Sequence, residues 1–219
     1  MKHSENQVSS VARFCLIRHG ETPWNIERRL QGHRDIDLNA AGRHQAQATA
    51  LWLAREPIDA LYASDLLRAR HTAERIGISL ALECRTLTDL RERRYGLFEG
   101  LTYAEAALQF PADYARFEAR DPDFVPPGAG ESLVAFYLRV TATLQGLASR
   151  HPGQTVVVVT HGGVLDVVNR FVRHLPLSAP RDFPIPNAGL NWLSVRGGAW
   201  EIESWGEVAH LADLSLDEL

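Results

Sequence analysis

Two short apolar runs in this chain each end in a histidine followed by glycine. Phe14-Cys15-Leu16-Ile17 leads into Arg18-His19-Gly20-Glu21-Thr22, and Val156-Val157-Val158-Val159 leads into Thr160-His161-Gly162-Gly163. Runs rich in β-branched and aromatic residues and bounded by glycine predict short buried strands. Strands of that kind belong to sheets covered on both faces, and in such α/β sheets ligands bind just beyond the carboxyl ends of the strands. Both imidazoles are therefore expected at a binding crevice. The glycine after each lets the backbone turn sharply and approach a ligand closely, and Arg18 brings a cation beside the first. The combination points to a phosphate site.

The rest of the chain fits this frame. Residues 23–37 are polar, lack periodicity and read as a long loop of the kind that tends to carry function. Asn39 caps a helix over 39–55 that Pro57 stops, and a short strand follows over 59–63. Ser64 is placed to cap a helix that starts at Asp65 and runs to Ile76, with Gly77 as its terminator. A strand over 83–86, one or two short helices over 101–120 broken at Pro111, and a proline- and glycine-rich loop over 121–130 come next. Leu133, Phe136, Val140, Leu144 and Leu147 recur at helical intervals over 132–150. A helix over 163–173 follows the valine strand, and strands over 189–195 and 200–205 joined at Gly197-Gly198 end the pattern.

Strands alternating with helices predict an α/β fold: three layers, α/β/α, around a mainly parallel central sheet. Residues 90–130 break the alternation and are expected to form a helical cap over the carboxyl ends of the strands. With 219 residues, the chain reads as one domain over 13–206, preceded by a loose leader over 1–12 and followed by a tail over 207–219. The first dozen residues are polar, which predicts no secretory signal and a cytoplasmic protein, and no apolar run is long enough to span a membrane. The net charge of −4 argues against a general nucleic-acid binder. Cys15 and Cys84 lack the spacing of a zinc site and are expected as free thiols. A homo-oligomer remains open.

Phosphoryl transfer needs positioning and positive charge around the equatorial oxygens. A neutral imidazole can itself attack phosphorus, which divides one hard displacement into two easier ones. His19 is the candidate nucleophile. Arginine suits the phosphoryl oxygens because its planar fork binds two at once, and Arg18 adjoins His19. Arg68 falls in the first turn of a helix, where the dipole disfavours a cation, so a bound anion would explain it. His161, heading the next helix with Gly162-Gly163, can donate to the same oxygens. Glu92, among arginines just before Tyr95-Gly96, is the candidate acid and base. A bound phosphate would raise its pKa and the flanking arginines would oppose the rise; sequence does not rank the two effects.

Taken singly, each of these residues has an ordinary reading as a core histidine or a solvated charge, and it is their combination that argues for function. Arg91, Arg93 and Arg94 read equally well as a solvated cap face or as substrate attraction. Trp24, Tyr95, Phe98 and Tyr103 favour packing over a pocket rim. His33, His44, His71, His151, His174 and His210 lack a comparable context, and Asp35 and Asp37 read as a loop turn rather than metal ligands with His33.

The segment Arg18-His19-Gly20-Glu21-Thr22 with Trp24-Asn25 resembles the signature of the histidine phosphatase superfamily, the phosphoglycerate mutase-like fold. Gln31-Gly32 with Asp35 and Leu38, Ser64-Asp65-Leu66 with Arg68-Ala69 and Thr72, Leu90 with Glu92, Gly96, Glu99 and Gly100, Gly130-Glu131-Ser132 and Thr160-His161-Gly162-Gly163 continue the likeness in order. The resemblance implies a phosphorylated His19, a phosphate pocket of Arg18, Arg68 and His161, and proton transfer by Glu92. It also implies that Asn25 lines the pocket, that Gln31 and Gly162 contribute contacts, and that the reaction needs no metal. Tyr95 joins the candidate substrate-binding residues as one that could give the pocket an aromatic rim, and no cofactor is expected. Cofactor-dependent mutases of that family carry a lysine where this chain has Tyr103, and a paired arginine where it reads Arg116-Phe117-Glu118-Ala119-Arg120. Losing cations that would bind a second phosphate favours the phosphatase branch. The expected function is a phosphomonoesterase acting on a small phosphorylated metabolite. A bisphosphoglycerate-dependent mutase and a regulatory phosphoprotein phosphatase or phosphate-binding protein are the alternatives.

Overall fold

The computed structural model describes residues 10–215, so most of the expected leader lies outside the described residues. In chain order the elements are β1 (Ala12–Arg18), α1 (Pro23–Ile26), α2 (Ala40–Leu53), β2 (Ala60–Ala63), α3 (Leu67–Leu80), β3 (Cys84–Thr86), α4 (Tyr103–Gln109), α5 (Pro111–Glu118), α6 (Leu133–Arg150), β4 (Thr155–Thr160), α7 (Gly162–Arg173), β5 (Leu190–Arg196) and β6 (Ala199–Glu207). The sheet order is β3-β2-β4-β1-β5-β6. The first four strands are parallel and the last two antiparallel, giving the mainly parallel sheet that the apolar runs predict.

Every residue of β4 is buried, because helices cover both faces of the sheet. Cys15, Ile17, Val157, Val159, Leu61 and Ala63 face Ala50, Leu53, Ala69, Ala73 and Ile76 of α2 and α3. Their neighbours Phe14, Leu16, Val156, Val158 and Tyr62 face Phe136, Val140, Leu144 and Leu147 of α6 and Val164, Leu165, Val167 and Val168 of α7. Two cores thus form from one period-two alternation. The expected cap has its own small core of Leu30, Phe98, Ala106 and Phe124, with Tyr95, Phe110, Tyr114 and Phe117 packed on it. Pro111 divides its two helices by occupying the first position of α5, where a missing N–H is harmless. Among the described residues no helix is long and apolar enough to cross a membrane.

Several local expectations change. Gly77 lies inside α3 rather than ending it; Ala81, at φ 54°, makes the left-handed cap. A Cβ at Gly77 would sit 2.7 Å from the Leu82 carbonyl oxygen, so this glycine admits the returning chain. Ser64 does not cap α3, which starts at Leu67, although its hydroxyl accepts from the Leu66 N–H. Instead Asp35 Oδ1 accepts from the Leu67 N–H at 2.6 Å, which puts a carboxylate at the positive end of α3. Residues 23–37 include the one-turn helix α1, closed by a Thr22–Asn25 capping box with Pro23 in first position. Four residues are too few to leave a periodic signal. The strand β1 begins at Ala12, inside the expected leader. The stretch Ala209–Ser215, expected as tail, is a 3-10 helix on α2, with Thr49 Oγ1 3.1 Å from His210 Nε2 and the Trp52 and His210 rings 6.0 Å apart.

Candidate active site

In the parallel pairing of β1 with β4, Arg18 stands opposite Thr160, so the two strands end side by side and their next residues are His19 and His161. The His19 N–H donates to the Thr160 carbonyl at 2.9 Å, and the two imidazole centroids are 5.3 Å apart. After His19 the chain turns against α2 with no room to spare. A Cβ on Gly20 would overlap the Gly42 carbonyl, and one on Gly42 would overlap the Glu21 carbonyl. The Gly20 N–H is held by Thr72 Oγ1 of α3.

His19 is buried, and its Nδ1 lies 2.7 Å from the Gly20 carbonyl oxygen. A carbonyl only accepts, so Nδ1 carries the proton and Nε2 keeps its lone pair. Burial, followed by the Arg68 and Arg18 guanidinium charges, holds the imidazole pKa well below its ordinary value near 6.5. The ring is neutral at pH 7. His161 is fully buried, and burial ahead of Arg68 and His19 depresses its pKa in the same direction. It therefore offers a neutral N–H rather than an imidazolium. Neither of its ring nitrogens has a hydrogen-bond partner among the described residues.

Arg68 is fully buried. Its Nη1 donates to the Arg34 carbonyl and its Nη2 to the Gly32 carbonyl, both at 2.8 Å. Burial lowers its pKa to about 10, which leaves it charged at neutral pH. Arg18 Nη1 donates to the Ile185 carbonyl at 2.7 Å. In both arginines the Nε is buried without a partner among the described residues. Buried donors are nearly always satisfied, so such a group around one imidazole marks an anion site.

Glu92 is buried, with Oε1 accepting from the Arg93 N–H at 2.8 Å and Oε2 from the Gly163 N–H at 2.9 Å. Its carboxylate rests against the first turn of α7, and Gly163 is needed there because a Cβ would overlap Oε1. Burial raises the Glu92 pKa against the opposing pull of those two N–H groups and of Arg68 and Arg18. The flanking arginines that made the balance unreadable in sequence are engaged elsewhere. Arg91 pairs with Asp65 at 2.5 Å, and Arg93 donates to the Glu131 and Phe124 carbonyls. Arg93 is thus buried rather than solvated; it ties the Glu92 segment to the cap and also lines the hollow under the cap.

Two adjoining hollows meet here. The smaller, of about 210 Å³, is lined by Arg18, His19, Trp24, Asn25, Gln31, Arg68, Glu92, Tyr95, Tyr103 and Gly162. The larger, of about 530 Å³, shares Arg18, Glu92, Tyr95, Tyr103 and Gly162 and extends under the cap along Tyr114, Phe117, Glu118, Arg120 and Arg181. Every sequence-derived site residue except His161 lines the smaller hollow, and His161 lies beside it against His19. Trp24, Tyr95 and Tyr103 form its wall rather than packing alone.

Sequence reading missed four residues that shape the site. His33 Nε2 donates to the Glu92 carbonyl at 2.8 Å. Asn187 Nδ2 donates to the His19 carbonyl at 3.0 Å. Arg139 of α6 donates to the Asp89 and Arg91 carbonyls at 2.8 and 3.1 Å, bracing the segment before Glu92. Arg181 lines the cap cleft from the loop before β5. The separations in sequence exceed any local pattern; only the tight Gly32-His33 turn was a signal.

A neutral imidazole lone pair ringed by cationic donors, with a carboxyl of raised pKa beside it, defines a phosphate-handling α/β enzyme. Residues 14–208 match the model of the histidine phosphatase superfamily, branch 1. The chain is 43% identical over 212 residues to phosphoglycerate mutase-like protein 4 of Arabidopsis thaliana, covering 95% of this chain and 91% of that one. It is 38% identical over 209 residues to the metal-independent phosphoserine phosphatase of the same plant, covering 94% and 86%. Among solved structures, YhfR of Bacillus stearothermophilus superposes with a TM-score of 0.84 at 30% identity, covering 91% of this chain and 99% of that one. The chain belongs to the histidine phosphatase superfamily, and it is a phosphatase.

Proposed function

We propose that this protein is a metal-independent phosphomonoesterase that hydrolyses a small phosphorylated metabolite through a phosphohistidine at His19. The observation that carries the reading is the Gly20 carbonyl on His19 Nδ1, which leaves a neutral Nε2 lone pair beside the unpartnered donors of Arg18, Arg68 and His161. Nε2 forms a bond to phosphorus as the ester P–O bond breaks, and the leaving oxygen takes the Glu92 proton and departs as the alcohol. The Gly20 carbonyl then stabilises the Nδ1 proton of the positively charged phosphoimidazole. Water attacks phosphorus and gives its proton to Glu92, the N–P bond breaks with its electrons returning to Nε2, and inorganic phosphate leaves. Arg18, Arg68 and His161 hold the equatorial oxygens throughout. Asn25 and Tyr95 border the phosphate. Gln31, whose Nε2 donates to Thr22 Oγ1 at 2.9 Å, lines the same hollow.

The substrate's alcohol portion extends into the cap cleft. Of the arginines that stand where the mutases carry their pair, Arg120 lines this cleft and pairs with Asp166 at 2.5 Å, and Arg116, outside its lining, pairs with Asp121 at 2.7 Å. Weak retention of a second phosphate favours hydrolysis over mutation of phosphate position, and the name of the metal-independent phosphoserine phosphatase relative supports that branch. Phosphate release from a panel of phosphorylated metabolites, with EDTA present and for wild type beside His19→Ala, tests the reading. Release by wild type alone supports it. Interconversion of phosphoglycerates dependent on 2,3-bisphosphoglycerate, without release, replaces it with the mutase. Phosphopeptide binding without small-molecule turnover replaces it with a regulatory role.

A further inference from the structure

The two halves of the site come from segments far apart in sequence. Arg68 is aimed by the carbonyls of Gly32 and Arg34, whereas Glu92 belongs to the segment that enters the cap. One carboxylate oxygen joins them. Glu99 Oε1 accepts from the His33 N–H at 3.0 Å and from the Tyr95 N–H at 3.0 Å. His33 lies between the two residues whose carbonyls hold Arg68, and its own ring donates to the Glu92 carbonyl. Tyr95 follows Glu92 by three residues and walls the phosphate hollow.

The chain makes room for this contact at a cost. Gly32 adopts φ +50°, a conformation that side chains rarely take, and any Cβ there would overlap the Glu99 carboxylate. The Glu99 side chain is only 9% exposed, and its nearest cation, Arg34, is 3.8 Å away and 65% exposed. A buried carboxylate facing two backbone N–H groups, with so distant a counter-charge, acts through geometry more than through an ion pair.

We infer that Glu99 is a positioning residue: through a single oxygen it locks the 32–34 turn that aims Arg68 to the segment that carries Glu92, so that the phosphate clamp and the proton donor are set relative to each other. The inference rests on the proposed role of Arg68 in phosphate binding. Because Oε1 makes both bonds, glutamine retains the needed acceptor while alanine and aspartate do not.

The test compares Glu99→Gln, Glu99→Ala, Arg68→Ala and the Arg68→Ala/Glu99→Ala double variant, each checked for folding by circular dichroism. The readouts are inorganic phosphate affinity by competition and turnover of p-nitrophenyl phosphate. Glu99→Ala should weaken phosphate about tenfold and turnover about a hundredfold, as small misplacements in active sites do. Glu99→Gln should restore both. In the double variant Glu99→Ala should weaken phosphate no further than Arg68→Ala alone, since the two act as one unit. If Glu99→Ala does not fold, Glu99→Asp, with an arm one methylene shorter, takes its place. Loss in Glu99→Gln equal to that in Glu99→Ala, or additive losses in the double variant, would overturn the inference. If Arg68→Ala leaves phosphate affinity unchanged, the reading of the phosphate site fails instead, and the two failures are thereby distinguished.

Discussion

The two adjoining hollows differ in how their charges are held. Around His19, Arg68 is fixed through both terminal nitrogens by backbone carbonyls, Arg18 through one, and each keeps its Nε free within the buried site. Under the cap, Arg120 is neutralised by Asp166, which it shares with Arg170, while Arg181 and Glu118 lie exposed on the rim. Backbone carbonyls orient an arginine without cancelling its charge by a full counter-ion, so the phosphate side is held in place by hydrogen bonds and stays cationic. The cap side carries exposed charges on its rim. Under the proposed function, chemistry falls to the first region and selectivity to the second.

The strongest way to break this contrast is at the nucleophile. His19→Ala should lower turnover by at least about 10⁴-fold, measured as steady-state phosphate release, because residues that act as a unit fail together. Substantial residual turnover would move the chemistry out of the small hollow.

Next in size, Gly163→Ala would drive a Cβ into the Glu92 carboxylate and should cut turnover about a hundredfold. Gly162→Ala, whose Cβ would lie 3.4 Å from Arg18 Nε, should lose less. Equal losses would mean that Glu92 is not held by α7 in the reacting state.

The pH profile sharpens the contrast further. In the free enzyme His19 must be neutral, so activity is lost as pH falls through its depressed pKa. Glu92 must be protonated to donate, so activity is lost as pH rises through its elevated pKa. The profile of kcat/KM should therefore be bell-shaped, with its acid limb set by His19 and its alkaline limb by Glu92. With p-nitrophenyl phosphate, whose leaving group needs no proton, the alkaline limb should flatten in the wild type; an unchanged limb assigns it to another group.

The smallest effect belongs to the cap. Arg181→Ala should raise KM for an anionic metabolite by roughly two- to fivefold and leave kcat intact, as befits an exposed charge. A fall in kcat alone would erase the division between the two hollows.

Much of this was legible in the chain. Strand-end histidines, the helix over Leu133–Arg150 and the break at Pro111 all follow from propensity and periodicity within a few residues. The site residues could be named because they cluster in short motifs. Gly77 misled because glycine has two uses, ending a helix or admitting a neighbouring backbone, and only the packing of Leu82 distinguishes them. Ser64 misled because Asp35, from another loop, had taken the position at the end of α3.

By itself the sequence determined where the strands end and which imidazoles stand at those ends, since alternation and burial of apolar side chains are short-range properties. Only the tertiary structure decided the charge state and aim of the reacting groups. Whether Glu92 is raised or lowered depends on desolvation set against N–H groups and guanidinium charges brought in from β1, α3 and α7. The aim of Arg68 depends on carbonyls more than thirty residues away in the chain. Such balances depend on where distant segments pack, and no local pattern of residues encodes them.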